Sequence, residues 1–280
     1  MKRISLIFLF LLTMGQVIDA QSDTLYLWPG KVPNETEPKS STVIDIHPNG
    51  ETRVIKVTNP FLAVFLPQPD KKNHKGIIVC PGGAYTHLAV HKEGFTTAEW
   101  LTKLGFTVFV LEYRVPDNKA GALQDIQRAF RLVRFLSGKY GIDPGKIGGI
   151  GFSAGADLVA RAGLTDPDKT YPTQDAADSF PGRPSCMMIM YPGYLDMGPD
   201  KSLTPYLHVT ANTVPTFIFQ AMDDPIVRSS FVLAMAMQQA GAPCELHIVP
   251  KGGHGYGMYP GNPAAEAWPP LLENWLKHNF

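Results

Sequence analysis

The sequence carries no surplus of charge of either sign: 25 Lys and Arg stand against 25 Asp and Glu in 280 residues. A chain without a basic field lacks the electrostatic footprint of a nucleic-acid binder, so no nucleic-acid partner is expected. Cysteine is scarce. The three present, Cys80, Cys186 and Cys244, cannot all pair with one another, and a domain of this length builds its own core, so buried free thiols are expected rather than a disulfide framework. No Cys-x-x-Cys pair occurs, and neither a structural metal nor a cofactor is expected. Long apolar runs are missing too. The run from Ile4 to Leu12 follows Met1-Lys-Arg3 and precedes Ile18-Asp-Ala20. It is too short to span a membrane and reads as a signal peptide over residues 1–20, with a charged start, a short apolar core and a small residue at the cut. The mature chain is then soluble, exported to the periplasm or the medium, and makes no stable membrane insertion. Nothing bears on its oligomeric state.

What the sequence does contain is a regular alternation of short apolar runs and amphipathic segments, with 44% hydrophobic residues. Residues 21–50, rich in Pro, Ser, Thr and Asn, read as an N-terminal arm laid over one domain covering 21–280. Arg53 to Thr58 and Phe61 to Leu66 look like an antiparallel pair turned at Asn59-Pro60. Buried strands follow at Gly76 to Cys80, Thr107 to Leu111, Ser185 to Tyr191, Thr216 to Ala221 and Glu245 to Val249. Between them, apolar residues recur at helical spacing from Glu93 to Leu104, from Leu123 to Leu136 and from Arg228 to Ala240, and Leu271 to His278 forms a closing helix. The helix at 123–136 carries Arg128, Arg131 and Arg134 on its other side, which is expected to face solvent. Strands alternating with helices imply an α/β domain with a mostly parallel sheet covered on both faces. Two polar insertions, 165–184 and 196–215, exceed the usual connection length and are expected to shape a binding site.

The strand at Ile147 to Ile150 runs into Gly151-Phe152-Ser153-Ala154-Gly155 and leaves as an Ala-rich helical segment. This is the setting in which G-x-S-x-G places a serine on a sharp strand-to-helix turn, with its hydroxyl exposed and the next amide free at a helix N-terminus. Such a hydroxyl needs a base, and the base needs an acid to orient it. The base chosen is His254, set between glycines in Lys251-Gly-Gly-His-Gly-Tyr-Gly257 directly after a strand. For the acid, Asp223 and Asp224 both follow the strand ending at Ala221; Asp224 is favoured because Pro225 fixes the turn, and Asp223 stays open as the alternative or as a helper. Backbone donors for an oxyanion are assigned to Gly83, Ala84 and Ala154, because Pro81-Gly82-Gly83 follows the strand from which the second donor comes.

Taken together, Pro81-Gly-Gly-Ala-Tyr85, Glu112-Tyr-Arg114, Asp125-Ile-Gln-Arg-Ala129, Gly151-Phe-Ser-Ala-Gly155, Asp223-Asp-Pro-Ile-Val227 and Gly252-Gly-His-Gly-Tyr-Gly257 resemble the α/β-hydrolase fold and, more narrowly, the exported acetyl-xylan-esterase-like carbohydrate esterases. The resemblance implies a serine esterase with an acylated carbohydrate or another small ester as substrate. It also suggests an aromatic sugar platform, for which Tyr85, Tyr191 and Tyr256 are the candidates, with Tyr259 nearby. One departure stands out: where relatives show Gly-Gly-His, this chain has Gly155-Ala156-Asp157, which places a carboxylate in the first turn of the helix, where a negative charge is favourable; an altered pocket nearby is the alternative. Three alternatives remain at this level. They are a general short-chain carboxylesterase, a prolyl-oligopeptidase-like peptidase, and an inactive scaffold that binds glycan or a partner.

Overall fold

The computed structural model describes residues 21–47 and 51–280. The expected signal peptide over 1–20 lies outside the described residues. Among the described residues, no helix is long and apolar enough to cross a membrane.

In chain order the strands are β1 (Asp23–Tyr26), β2 (Val43–Ile46), β3 (Thr52–Lys56), β4 (Phe61–Phe65), β5 (Gly76–Cys80), β6 (Thr107–Glu112), β7 (Ile147–Phe152), β8 (Met187–Met190), β9 (Thr216–Ala221) and β10 (Cys244–Val249). The helices are α1 (Thr96–Lys103), α2 (Lys119–Phe135), α3 (Ser137–Tyr140), α4 (Ala154–Leu164), α5 (Arg228–Ala240) and α6 (Pro263–Asn279). Eight strands form one sheet in the order β1-β4-β6-β5-β7-β8-β9-β10. The pairs β1–β4 and β4–β6 are antiparallel and every later pair is parallel.

Side chains alternate across this sheet with the two-residue period of a strand. Ile78, Phe109, Ile189 and Ile218 pack into one core with α2, α4 and α5. Ile77, Val79, Val108, Val110, Ile150, Phe152, Met188, Phe217 and Phe219 pack into the other with α1 and α6. Because both faces are covered, the central strands are apolar throughout, which is why they read as short continuous runs. The order reverses at β5 and β7: β5 connects outward to β6, and β7 connects the opposite way to β8. A crevice opens at such a switch point beyond the carboxyl ends of the strands, and the Pro81-Gly82-Gly83 loop and Ser153 both sit there.

Several expectations are corrected. The strand at 53–58 does not pair with its neighbour. β4 is buried along nearly its whole length and takes β1 and β6 as partners, whereas half-exposed β3 pairs antiparallel with β2 in a separate two-stranded sheet. The arm is therefore more than a covering layer, since it supplies the edge strand β1 and buries Leu27, Trp28 and Val32. The last helix starts at Pro263 rather than Leu271 and runs through Pro269 and Pro270. A proline inside a helix costs roughly 3 kcal/mol. Here Asn262 caps the first turn by accepting from the amides of Ala264 and Ala265, and burial of Trp268, Leu272, Trp275 and Leu276 offsets that cost.

Arg128, Arg131 and Arg134 are buried, not solvated, because the 165–184 insertion folds over the polar side of α2. Arg128 pairs with Asp175 at 2.5 Å and Asp178 at 2.9 Å, and Arg131 pairs with Asp168 at 3.1 Å. Arg134 donates to the Pro181 carbonyl at 2.8 Å. Cys80 and Cys186 are buried free thiols, whereas Cys244, on edge strand β10, is exposed.

Candidate active site

The turn from β7 to α4 is as tight as its glycines imply. A Cβ on Gly151 would stand 2.1 Å from the Gly155 carbonyl oxygen, and one on Gly155 would stand 2.0 Å from that of Cys80. Ser153 itself has φ 52° and ψ −114°, a conformation that side-chain-bearing residues rarely adopt. Ser153 Oγ lies 2.8 Å from His254 Nε2, and His254 Nδ1 lies 2.6 Å from Asp224 Oδ2. Asp224 is 1% exposed and its other oxygen accepts the Ile226 amide at 2.9 Å, whereas about a third of the His254 side chain faces solvent. A buried acid, a half-open imidazole and a hydroxyl thus form one hydrogen-bonded line from core to cleft.

The two adjacent aspartates make different contacts, Asp224 with the imidazole and Asp223 with the backbone. Asp223 Oδ1 accepts the amides of Gly252 at 3.0 Å and Gly253 at 2.8 Å, so it ties down the loop that carries His254 without touching the imidazole.

On the other side of Ser153 runs the loop after β5. Gly82 is wedged against the serine, for a Cβ there would lie 2.9 Å from Ser153 Cβ. Its amide is engaged by Glu93 Oε2 at 2.6 Å. Gly83, Ala84 and Tyr85 then take φ of 131°, 57° and 62° in succession. Among the described residues, the amides of Gly83 and Ala84 have no acceptor, and Ala154, as the first residue of α4, has no intrahelical partner for its N–H.

Gly83, Ala84, Ser153, His254 and Gly255 line a cleft of about 210 Å³ together with Glu51, Arg53, His87, Lys92 and Glu93. A larger cavity, of about 330 Å³, opens beside β4 and α1 among Phe65, Leu66, Gln68, Lys71, Glu99, Thr102 and Lys103. It offers no nucleophile with a paired base, so the smaller cleft is the one equipped for chemistry. His87 and His91 stand four apart, a spacing that can hold a metal on a helix. Among the described residues, however, no group of three or more His, Cys, Asp or Glu is gathered to do so.

The chain is similar to known proteins. The BD-FAE family model matches residues 62–191, from β4 through the serine turn to the end of β8. The acetylxylan esterase of Xylanibacter ruminicola is 30% identical over 226 residues, which are 75% of this chain and 46% of that protein. The chain spans less than half the length of the curated relatives it matches most extensively. Among solved structures, the acetyl ester-xyloside bifunctional hydrolase of Caldicellulosiruptor lactoaceticus aligns over 93% of this chain and 97% of its own, at 30% identity and a TM-score of 0.72. The chain belongs to the α/β-hydrolase esterases. Within that family it resembles the acetylxylan esterases. An esterase from Thermogutta terrifontis shares the fold at 22% identity, with a TM-score of 0.69 and coverage of 86% and 94%.

Among the described residues, the three tyrosines expected to form an aromatic platform are buried. Tyr85, Tyr191 and Tyr256 are each at most 3% exposed, and each is turned into the protein. Tyr85 donates its hydroxyl to Asp157 Oδ2 at 2.6 Å, which is where the departure at position 157 leads: acid and phenol form a buried pair. Burial raises the pKa of both groups. Tyr191 donates to Glu93 Oε1 at 2.8 Å and packs its ring edge-on to His254, with centroids 5.2 Å apart. The Tyr256 ring meets that of Tyr191 edge-on, with centroids 4.3 Å apart. Tyrosines close to a site in sequence are large enough to pack into the core around it, and none of these three lines the cleft. Of the four, only Tyr259 is exposed.

Glu93 and the charged rim escaped the sequence reading. Glu93 sits on a π-helical turn, Val90–Phe95, inside a segment that looks like ordinary amphipathic helix. Arg53 lies on a strand whose partner was misread. Glu51 joins Arg53 at 2.9 Å and Lys92 at 3.0 Å; burial opposes its ionisation, but these two cations hold its carboxyl down to about 2.

Proposed function

We propose that this chain is a serine esterase that removes short acyl groups, acetyl above all, from plant polysaccharide fragments or similar carbohydrate esters. The observation that carries the reading is the line Ser153 Oγ to His254 Nε2 to Asp224, at 2.8 and 2.6 Å, opening into a cleft beside unengaged amides.

In this mechanism the Ser153 oxygen attacks the ester carbonyl carbon while His254 Nε2 takes the hydroxyl proton. Asp224 stabilises the imidazolium that forms and fixes the ring so that Nε2 faces the serine. The carbonyl electrons move onto oxygen, where the amides of Gly83, Ala84 and Ala154 receive the charge. Collapse breaks the bond to the sugar oxygen, His254 returns the proton to that oxygen, and the deacylated glycan leaves. Water, deprotonated by His254, then attacks the acyl-enzyme, releasing acetate and restoring Ser153. No step requires a cofactor. The small volume of the cleft and its charged rim favour a short acyl group on a polar alcohol over a long lipid chain. The charged and apolar N-terminus supports export, which places the enzyme where plant polysaccharide fragments are met.

The test is acetate release from acetylated xylo-oligosaccharides beside hydrolysis of p-nitrophenyl acetate, with Ser153→Ala as control. The reading expects both substrates to be cleaved and both activities to vanish in the variant. Cleavage of the aryl acetate alone would make the chain a general short-chain carboxylesterase; neither reaction would leave a binding scaffold.

A further inference from the structure

Glu93 is 2% exposed, and both of its oxygens are committed. Oε2 accepts the Gly82 amide at 2.6 Å, and Oε1 accepts the Tyr191 hydroxyl at 2.8 Å. The Tyr191 oxygen accepts in turn from the Gly257 amide at 2.9 Å. Gly82 immediately precedes the oxyanion amides, and Gly257 closes the glycine-rich loop that carries His254. One buried carboxylate therefore stands between the two loops that the proposed chemistry must hold at a fixed spacing from Ser153.

Both loops turn on glycines. The first passes through Gly82 and Gly83, and the second has positive φ at Gly253, Gly255 and Gly257. Close packing marks both ends of the bridge. A Cβ on Gly82 would be 2.8 Å from Glu93 Oε2, and one on Gly257 would be 2.9 Å from the Lys92 carbonyl oxygen and 3.4 Å from Glu93 Cγ. The Tyr191 ring, held by the same bond, lies edge-on to the His254 imidazole. Burying a carboxylate is costly unless its oxygens are well satisfied, so a stability role alone is met better by an apolar side chain of similar volume. What an apolar residue lacks is two directed acceptors facing two separate loops.

We propose that Glu93 is the positioning residue of this site, setting through Gly82 and through Tyr191–Gly257 the distance between the oxyanion donors and the general base. The inference rests on the triad reading above. A displacement of about 1 Å at a reacting centre can cost on the order of a hundredfold in rate, so the bridge acts on the chemical step more than on binding.

The experiment measures p-nitrophenyl acetate hydrolysis by Glu93→Gln, Tyr191→Phe and the double variant, with active sites counted by a fluorophosphonate that labels the reactive serine. Glu93→Gln keeps the shape and one acceptor but turns the other oxygen into a donor; Tyr191→Phe leaves the carboxylate in place and removes only the bridging hydroxyl. The expected result is a fall in kcat per counted site of about tenfold or more in each single variant, with KM changed by less than about twofold. The double variant should fall no further than the worse single one, because the two residues act as one unit. Unchanged kcat per counted site in both single variants, with only the melting temperature lowered, overturns the inference, as does full additivity in the double variant. Should Glu93→Gln fail to fold, Tyr191→Phe carries the test alone. These outcomes are separable from failure of the triad reading, which would appear as full turnover by Ser153→Ala and would remove this inference with it.

Discussion

Asp223 and Asp224 are adjacent in the chain and act on different atoms of one loop: Asp224 accepts from the His254 ring at 2.6 Å, whereas Asp223 accepts from the Gly252 and Gly253 amides. Their substitutions should therefore separate. Asp224→Asn is expected to lower kcat by roughly four orders of magnitude, as happens when a triad acid can no longer select the imidazole tautomer. Asp223→Ala removes two loop hydrogen bonds, worth about 1 kcal/mol each, and leaves the imidazole its partner, so kcat should fall far less. Steady-state kinetics on p-nitrophenyl acetate distinguishes them, and equal losses would contradict the division of labour.

Tyr85 is buried and donates its hydroxyl to Asp157, which favours a supporting role over a substrate contact. Tyr85→Phe deprives the buried Asp157 carboxylate of its hydrogen-bond donor, a loss of about 1–3 kcal/mol, and should lower the melting temperature. The ratio of KM for acetylated xylo-oligosaccharides to KM for p-nitrophenyl acetate should stay unchanged. A rise in KM confined to the glycan would restore Tyr85 as a sugar contact.

Arg128 holds the 165–184 insertion on α2 through Asp175 and Asp178. Arg128→Met takes the cation from the buried Asp178 carboxylate and leaves it only the Tyr171 hydroxyl and the Gln174 amide, and breaking a buried pair costs about 3–5 kcal/mol. The partner of Arg131, Asp168, is about one-third exposed, so Arg131→Met should cost less. Chemical denaturation of both variants checks the order, with a lowered midpoint and faster proteolysis in the insertion expected first for Arg128→Met.

Glu112 makes stability depend on pH. Burial, opposed by one hydrogen bond from Thr42, pushes its carboxyl up to about 7 from an ordinary 4.5. Between those values the folded chain holds the proton more tightly than the unfolded chain does. Glu112 therefore makes folding less favourable as pH rises through that window, and its full penalty applies above it. Glu112→Gln lacks the penalty, so its stability relative to the unmodified protein should grow by up to about 3 kcal/mol between about pH 4.5 and pH 8. Denaturant melts across that range measure the difference; a flat one would place the Glu112 carboxyl in its ordinary range.

The strands of the parallel sheet, the serine turn and the histidine loop were legible because each is local: an apolar run, a glycine pattern and their order along the chain carry the information. Three things depended on contacts between distant segments. The arginines of α2 read as solvated because nothing local says that Asp168, Asp175 and Asp178 will fold back onto them. The partner of β3 was missed because turn residues at Asn59-Pro60 suggest a hairpin, whereas burial of β4 on both sides decides the pairing. Glu93 was hidden because a charged residue near the start of an amphipathic helix resembles an exposed one until Gly82 and Tyr191 are brought to it. The tyrosines erred the other way, for closeness in sequence to a loop of the site does not tell a residue packed in the core from one that lines the cleft.

The central claim is that Ser153 becomes acylated. It is tested most directly by mixing the protein with p-nitrophenyl acetate, quenching in acid within the first turnovers and locating the modification by peptide mass spectrometry. The account predicts one acetyl group on the peptide that contains Ser153, lost on longer incubation. Acetyl found on another residue, or turnover that persists in Ser153→Ala, would contradict it.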